Sequence, residues 1–339
     1  MHGMSARRTV ATAIIALGLG LGVACGTGRD AAGTASFAGA TLRIIVGFPP
    51  GGGYDLHARL VARHVGRHLP GEPGVVVENM PGAGGGLAAN YLGSAAAADG
   101  LTIGLLGEAS APDLVASGLL SRVALLGSPG PTSPAVLFTR RSGIATLDDW
   151  RRATPAPRIG SSGGRSLSSV VPRLLAASLA LPVRQISGYA GTAEVRLALE
   201  GGELDAYSFD DGVTRLDQLG EGMLVLRVGP PASPERASLP DALSLAPEGP
   251  RHRMLQVGID EMRVFGRIFV APRQAPSARL ARLRDALAAT WSDPRFLADA
   301  RIAGLSIAPV TADQLDEAAT RMQSQPDILD TINAILQQD

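Results

Sequence analysis

The sequence predicts an α/β protein with a parallel sheet at its core, and three observations carry the prediction. Short apolar runs at Ile44–Val46, Val75–Val77 and Leu101–Gly107 read as buried strands. Stretches with helical apolar spacing lie between them, giving strand, helix, strand, helix, strand. The turns from strand into helix are rich in glycine, at Gly51–Gly53 and again at Gly82–Gly86.

The first strand–helix corner reads LRIIVGFPPGGGYD and runs on into DLHARLVARHVGRHL, with Leu56, Leu60, Val61, Val65 and Leu69 at helical spacing. Three consecutive glycines allow positive φ and leave no Cβ between backbone and ligand. The helix start directs unpaired N–H groups and the positive end of its dipole at that loop. Such a corner suits a carboxylate or phosphate, and it equally fits an ordinary βα turn. No Lys follows the glycines, so the Walker-A signature is absent. Asp55 is expected to cap the helix and hold the loop N–H groups in place. His64 and His68 stand four apart, but no Glu follows His64, and Arg63 and Arg67 interleave. His57, His64 and His68 are therefore expected on a solvated face, with no metal and no cofactor.

Composition narrows the classes. The 339 residues are 45% hydrophobic and 18% charged with no net formal charge, and aromatic residues make up 4%. Neither a basic face nor a stacking platform is evident, which excludes a nucleic-acid partner. Arg7 and Arg8 precede the apolar run VATAIIALGLGLGVA, too short for a membrane span, and Cys25 follows it directly. Residues 1–25 read as a signal peptide, and the placement of Cys25 resembles the lipidation site of a bacterial lipoprotein, although Gly22 stands where that signal usually has Leu; a plain signal peptide cut near Ala24 or further on fits the same run. Cys25 is the only cysteine, so no disulfide forms. Residues 26–40, rich in Gly, Ala, Ser and Thr, read as a flexible tether.

Along the rest of the chain, Gly82-Ala83-Gly84 opens like a dinucleotide fingerprint, but Leu87 stands where its last Gly or Ala belongs. Ala135–Phe138 gives another strand, and Thr146 to Trp150 a short capped helix, with Trp150 and Trp291 as packing residues. A second corner, RIGSSGGRSLSSVVPRLLAASLALP, offers Ser161, Ser162, Ser166 and loop N–H groups to a ligand, with Arg165 as a charge partner. Pro172 is expected near the first helical turn. A third unit, VRQISGYAGTAEVRLALEGGELDAYSFD, runs strand, loop, helix, strand and ends at Asp210-Asp211. Residues 229–253 read as a surface excursion, MRVFGRIFVAP as a strand, and two helical segments close the chain.

The order of these motifs resembles the receptor proteins of tripartite tricarboxylate transporters, the Bug family. The resemblance rests on IIVGFPPGGGYDLHARLVARHV, VVVENMPGAGGGLAAN, ADGLTIGLLG, IGSSGGRS, GYAGTAEVRLALEGGELDA and FGRIFVAPRQAPSARLARLRDAL, and spans about residues 41–335. It implies a two-lobe, type II periplasmic-binding-protein-like α/β fold, with two crossing strands and a ligand cleft between the lobes. Residues 41–137 and 268–339 form the first lobe and 138–267 the second. The resemblance implies solute capture outside the membrane and no catalysis. Its expected partners are a small carboxylate and transporter subunits, with a monomer held to the membrane by its lipid. Carried over by position, Phe48, Gly52, Gly53, Tyr54 and Asp55 meet the ligand from the first lobe. Ser161, Ser162, Gly164, Ser166, Tyr189, Gly191, Thr192 and Asp210 do so from the second. Tyr54 departs from the family's usual Ser or Thr, and Ser169-Val170 from a frequent His-Leu pair.

Two other readings use the same residues. Gly160-Ser161-Ser162-Gly163-Gly164 matches G-x-S-x-G, with Asp210 and His252 following in hydrolase order, but no HGG-type oxyanion loop lies upstream. A solute sensor feeding a signalling receptor would share the binding fold.

Overall fold

A computed structural model describes residues 36–107, 118–163, 166–210, 222–231 and 234–337. The signal segment, Cys25 and most of the tether lie outside the described residues, as do Gly164 and Arg165. The described strands form two five-stranded sheets. The first is built from β1 (Thr41–Val46), β2 (Gly74–Asn79), β3 (Thr102–Gly107) and β4 (Val123–Gly127). The second contains β5 (Pro134–Thr139), β6 (Arg158–Ser161), β7 (Arg184–Ser187), β8 (Ala206–Asp210) and β9 (Gly222–Arg227). The chain then returns to the first sheet as β10 (Arg267–Pro272), giving orders β2-β1-β3-β10-β4 and β7-β6-β8-β5-β9.

In each sheet four strands, three of them adjacent, run one way and one visitor runs against them. In the first, β1 runs parallel to β2 and β3, while β10 is antiparallel to β3 and β4. In the second, β6 runs parallel to β7 and β8, while β5 is antiparallel to β8 and β9. The parallel trios are the part that periodicity predicts; β5 and β10 are the two strands that carry the chain between lobes. Since β5 pairs wholly within the second sheet, the sequence-based boundary at 137 falls inside a strand. The crossing itself is the segment Ser128–Ser133.

The helices fill the expected places, with some differences. Those between the strands of the first half are α1 (Gly53–Val65) and α2 (Gly86–Ser94). The second sheet is flanked by α3 (Leu147–Arg152), α4 (Leu167–Leu179) and α5 (Thr192–Gly201). Thr146 caps α3 through a capping box with Asp149, as its sequence predicts. Pro172 lies not in the first turn of α4 but inside the helix. The N–H it lacks would have bonded to the Ser168 carbonyl, and the Gln185 side chain donates there instead, at 3.4 Å. The excursion at 229–253 folds back as α6 (Ala242–Leu245) and α7 (Pro250–Leu255), whose Met254 and Leu255 are buried. The segment read as one strand from Met262 divides into a 3-10 turn over Glu261–Phe265 and β10.

Four helices close the chain, not two: α8 (Ser277–Ser292), α9 (Pro294–Ile302), α10 (Ala312–Gln323) and α11 (Pro326–Leu336). Thr290 to Pro294 hides a break that apolar spacing alone does not reveal: Asp293 both ends α8 and caps α9. The last helix leaves the first lobe, correcting its assignment there. It packs on α4 and α7, and the Leu336 carbonyl accepts from Arg173 Nη1 at 2.9 Å.

The histidine face of α1 is buried, not solvated. His57 is 1% and His64 4% exposed. His64 Nε2 lies 2.9 Å from Asp299 on α9, and its ring meets Phe296 edge-on at 5.6 Å. His68 Nε2 sits 3.2 Å from Asp293. His64, with His68 in the turn that follows α1, ties this segment to the C-terminal helices, and among the described residues no group of three metal-ligating side chains occurs. In the second lobe Trp150 is fully buried, edge-on to Phe138 at 5.0 Å, and its Nε1–H donates to the Pro182 carbonyl at 2.9 Å. Trp150→Ala is expected to cost about 3–5 kcal/mol, read as a lowered urea midpoint of unfolding.

Candidate functional site

A cleft of about 830 Å³ opens between the two sheets, lined from both lobes. Three strand–loop–helix corners meet at it. β1 leads through Phe48–Gly52 into α1, Ser162 and Ser166 stand between β6 and α4, and β7 leads through Gly188–Gly191 into α5. At each of these three helix starts, no side chain caps the first turn: the N-cap residues are Gly52, Ser166 and Gly191. Backbone N–H groups and three dipole ends of positive sign therefore point into one space.

The first corner is braced from behind. Asp55 stands in the first turn of α1 rather than at the N-cap, which is Gly52. Its buried carboxylate accepts the Gly51 N–H at 2.9 Å, Arg59 Nε at 2.9 Å and Asn79 Nδ2 at 3.0 Å. Burial works to raise the Asp55 carboxyl. The Arg59 guanidinium, the Gly51 N–H and the Asn79 amide outweigh it and hold the carboxyl below its ordinary range. His57 holds the other side of the loop, with Nδ1 2.9 Å from the Gly53 carbonyl. Burial, reinforced by the nearby Arg267 charge, pushes the His57 imidazole down to about 3. It is neutral, so Nδ1–H donates to that carbonyl. Gly51 has φ of +81°, which only glycine adopts without strain, whereas Gly52 at φ −82° does not need to be glycine for its backbone.

Tyr54 and Phe48 stack with ring centroids 4.0 Å apart and planes 11° from parallel. Both rings stand on the end of β3. A Cβ at Gly107 would come within 2.7 Å of the Tyr54 hydroxyl and 3.0 Å of Phe48. In the second lobe, Ser168 gathers hydroxyls. It accepts the Ser162 N–H at 3.1 Å and lies 2.8 Å from Ser166 Oγ. Thr192 Oγ1 and the Tyr207 hydroxyl are 3.2 Å apart. At the cleft floor Arg267, 3% exposed, reaches Asp210 at 2.5 Å and the Pro131 carbonyl at 2.7 Å.

Of the residues carried over from the resemblance, Phe48, Gly52, Gly53, Tyr54, Ser162, Ser166, Gly191, Thr192 and Asp210 line this cleft. Asp55 stands behind the wall. Ser161 is fully buried and lies 3.0 Å from Ser187 Oγ, and Tyr189, not among the lining residues, packs against the cluster that holds Val195, Tyr207 and Phe209. Gly164 and Arg165 are outside the described residues. Arg267, Ser168, Tyr207 and Ser208 line the cleft without having been singled out from the sequence. Arg267 had a visible signal, a lone charge opening the apolar strand RIFVAP; the two serines had none.

No protein-family model matches the sequence, and no curated protein matches it. Among solved structures, the periplasmic binding protein BugD aligns with a TM-score of 0.69 at 18% identity, over 87% of this chain and 97% of that one. The fold is that of the periplasmic binding proteins. MatC from Rhodopseudomonas palustris with bound malate gives 0.66 at 19% identity, over 85% of this chain and 98% of that one. An R. palustris protein with adipate gives 0.68 at 17% identity, over 86% and 96%.

In this periplasmic-binding-protein fold the hydrolase arrangement does not assemble. The Ser162 hydroxyl faces Ser168 at 3.4 Å, Asp210 is held by Arg267 and by the Ser133 N–H, and His252 sits on α7, not among the cleft-lining residues. The opposing lobes also meet beside the cleft. A Cβ at Gly163 would lie 3.4 Å from Gly84 N, and one at Gly191 3.5 Å from the Pro49 ring.

The Asp55 brace has a pH signature. Its folded carboxyl titrates below the unfolded one, so its stabilisation is present above the ordinary carboxylate range and disappears as pH falls through the folded value. Asp55→Asn is expected to cost about 1.5–3 kcal/mol near neutrality. In urea titrations against pH, the gap between wild type and variant should close in acid; a gap independent of pH contradicts the brace.

Proposed function

We propose that the chain is an extracytoplasmic solute-binding receptor that captures a small carboxylate for a transporter of the tripartite tricarboxylate type. The observation that carries this reading is the convergence of three helix starts without side-chain caps on one interlobe cleft. Backbone N–H groups in that arrangement hold an anion without a counter-charge. The malate and adipate in the similar R. palustris structures support the same ligand class. Hydrogen bonds to a charged group contribute about 1.5–3 kcal/mol each, and each helix end about 0.3–2 kcal/mol. After the cost of ordering, a few such contacts reach the roughly −8 kcal/mol of micromolar binding.

The cradle and an arginine clamp are separable. A Cβ at Gly52 would touch only the Pro49 carbonyl, at 3.7 Å, so the fold accommodates it, and Gly52 lines the cleft. Gly52→Val is expected to abolish binding of the carboxylate found in a thermal-shift screen, with the melting temperature of the free protein preserved. Arg165→Ala should weaken binding only modestly. The opposite pattern overturns the backbone cradle. Wild type at about 100 times Kd should gain roughly 2.7 kcal/mol.

The receptor is tethered through Cys25, the sole cysteine, directly behind the apolar leader. Cys25→Ser should release it to the soluble fraction or block its processing; an unacylated, soluble wild type would sink the anchor.

A further inference from the structure

Of the chain's seven Phe and four Tyr, two of each line this one cleft. The first lobe contributes the parallel Phe48–Tyr54 stack, half-buried and seated on Gly107. In the second lobe Tyr207 and Phe209 lie on one face of β8 with ring planes 15° apart, but both are buried in the core beside Val195 and Leu199. The ring surface that the cleft offers a ligand is therefore that of the first-lobe pair, Phe48 and Tyr54.

The charges of the same cleft are already engaged. Asp210 pairs with Arg267, Arg196 with Glu200 at 3.2 Å, and the Glu194 carboxylate accepts the Ala190 N–H at 2.8 Å. Among the described lining residues, the only positive groups not tied to a carboxylate are the helix-start N–H groups. Away from the helix starts, the ligand meets Asp210, Glu194 and the Phe48–Tyr54 ring faces, surroundings that suit an uncharged planar body better than a second anion. The volume, about 830 Å³, leaves ample room for such a body.

We infer that the ligand is a monocarboxylate with an aromatic body, its carboxylate on the helix starts and its ring against the Phe48–Tyr54 stack. This rests on the carboxylate-receptor reading and narrows it. Tyr54 is the specificity-determining residue, because its ring fills the seat that Gly107 leaves open.

The test is calorimetry on the mature protein with benzoate, 4-hydroxybenzoate and phenylacetate, against cyclohexanecarboxylate, malate and adipate. At least one aromatic acid should bind about tenfold tighter than the three others, the scale of an aromatic contact beyond its buried area. Its ring protons should shift upfield in NMR on binding. Tyr54→Ser should lose about tenfold for that acid and Tyr54→Phe should retain it. Neither the wild-type comparison nor the NMR shift depends on the variant folding. If malate or adipate binds as tightly as every aromatic acid, or Tyr54→Ser leaves aromatic binding unchanged, the ring assignment falls and the carboxylate receptor stands. If none of the six binds, both fall.

Discussion

Arg267 is the contact on which the cleft depends. It opens β10, the strand that returns the chain to the first sheet, and is buried where three parts of the structure meet. Its guanidinium takes Asp210 from the end of β8 and the Pro131 carbonyl from the outgoing crossing. Asp210 in turn accepts the Ser133 N–H at 2.8 Å, so outgoing chain, returning chain and second sheet share one knot. A buried pair of this kind gains little net stability, because desolvation offsets most of the attraction, but removing one partner strands a charge. What it secures is geometry. Its field also helps keep His57 neutral, and a neutral His57 holds the Gly53 carbonyl and with it the first corner.

A helix start without a side-chain cap is not diagnostic alone. α2, α7, α8 and α11 also lack one, beginning after Gly85, Gly249, Pro276 and Gln325. Elsewhere the protein caps freely, with Thr146, Asp241, Asp293 and Thr311 each accepting a first-turn N–H. The three starts at the cleft differ because they converge, each at the end of a parallel strand, the position where open α/β sheets collect ligands. Convergence is a property of the two sheets together, and no single corner displays it.

That explains what was legible in the sequence. Local grammar located β1, β3 and β6, the glycine corners and the capping box at Thr146, because each is written in consecutive residues. It missed β4 and β9, short apolar segments without a helix of their own to mark them. It placed the histidines of α1 in solvent because periodicity cannot know that α9, more than 200 residues later, will cover that face; His64 and Asp299 are 235 residues apart. Pro172 fits a first-turn proline in the sequence because the substitute donor, Gln185, lies on another element. In the site, the corners were readable and the floor was not. Arg267, Tyr207 and Ser208 acquire their setting only when the sheets form.

The C-terminal helices add a constraint on movement between the lobes. α10 packs beside β4 and α11 on α4, so the chain crosses between lobes a third time near Ser324 and Gln325. At that point Gln325 lies within hydrogen-bonding distance of Glu261 and Arg253, on the second-lobe side of the return crossing. Opening the cleft therefore bends the chain at three places at once: Ser128–Ser133, Glu261–Gly266 and the α10–α11 joint. Two of these are laced together, since Arg263 Nε donates to the Thr132 carbonyl at 2.7 Å and Thr132 N–H to the Arg263 carbonyl at 3.0 Å. Hinge motion concentrates where few residues absorb the backbone change, and the α10–α11 joint lacks such lacing by backbone hydrogen bonds to either crossing among those described. A ligand bridging the Gly51–Gly53 loop and the start of α4 at Ser166 would work against all three bends. Its grip is then a tie between lobes as much as a contact with either.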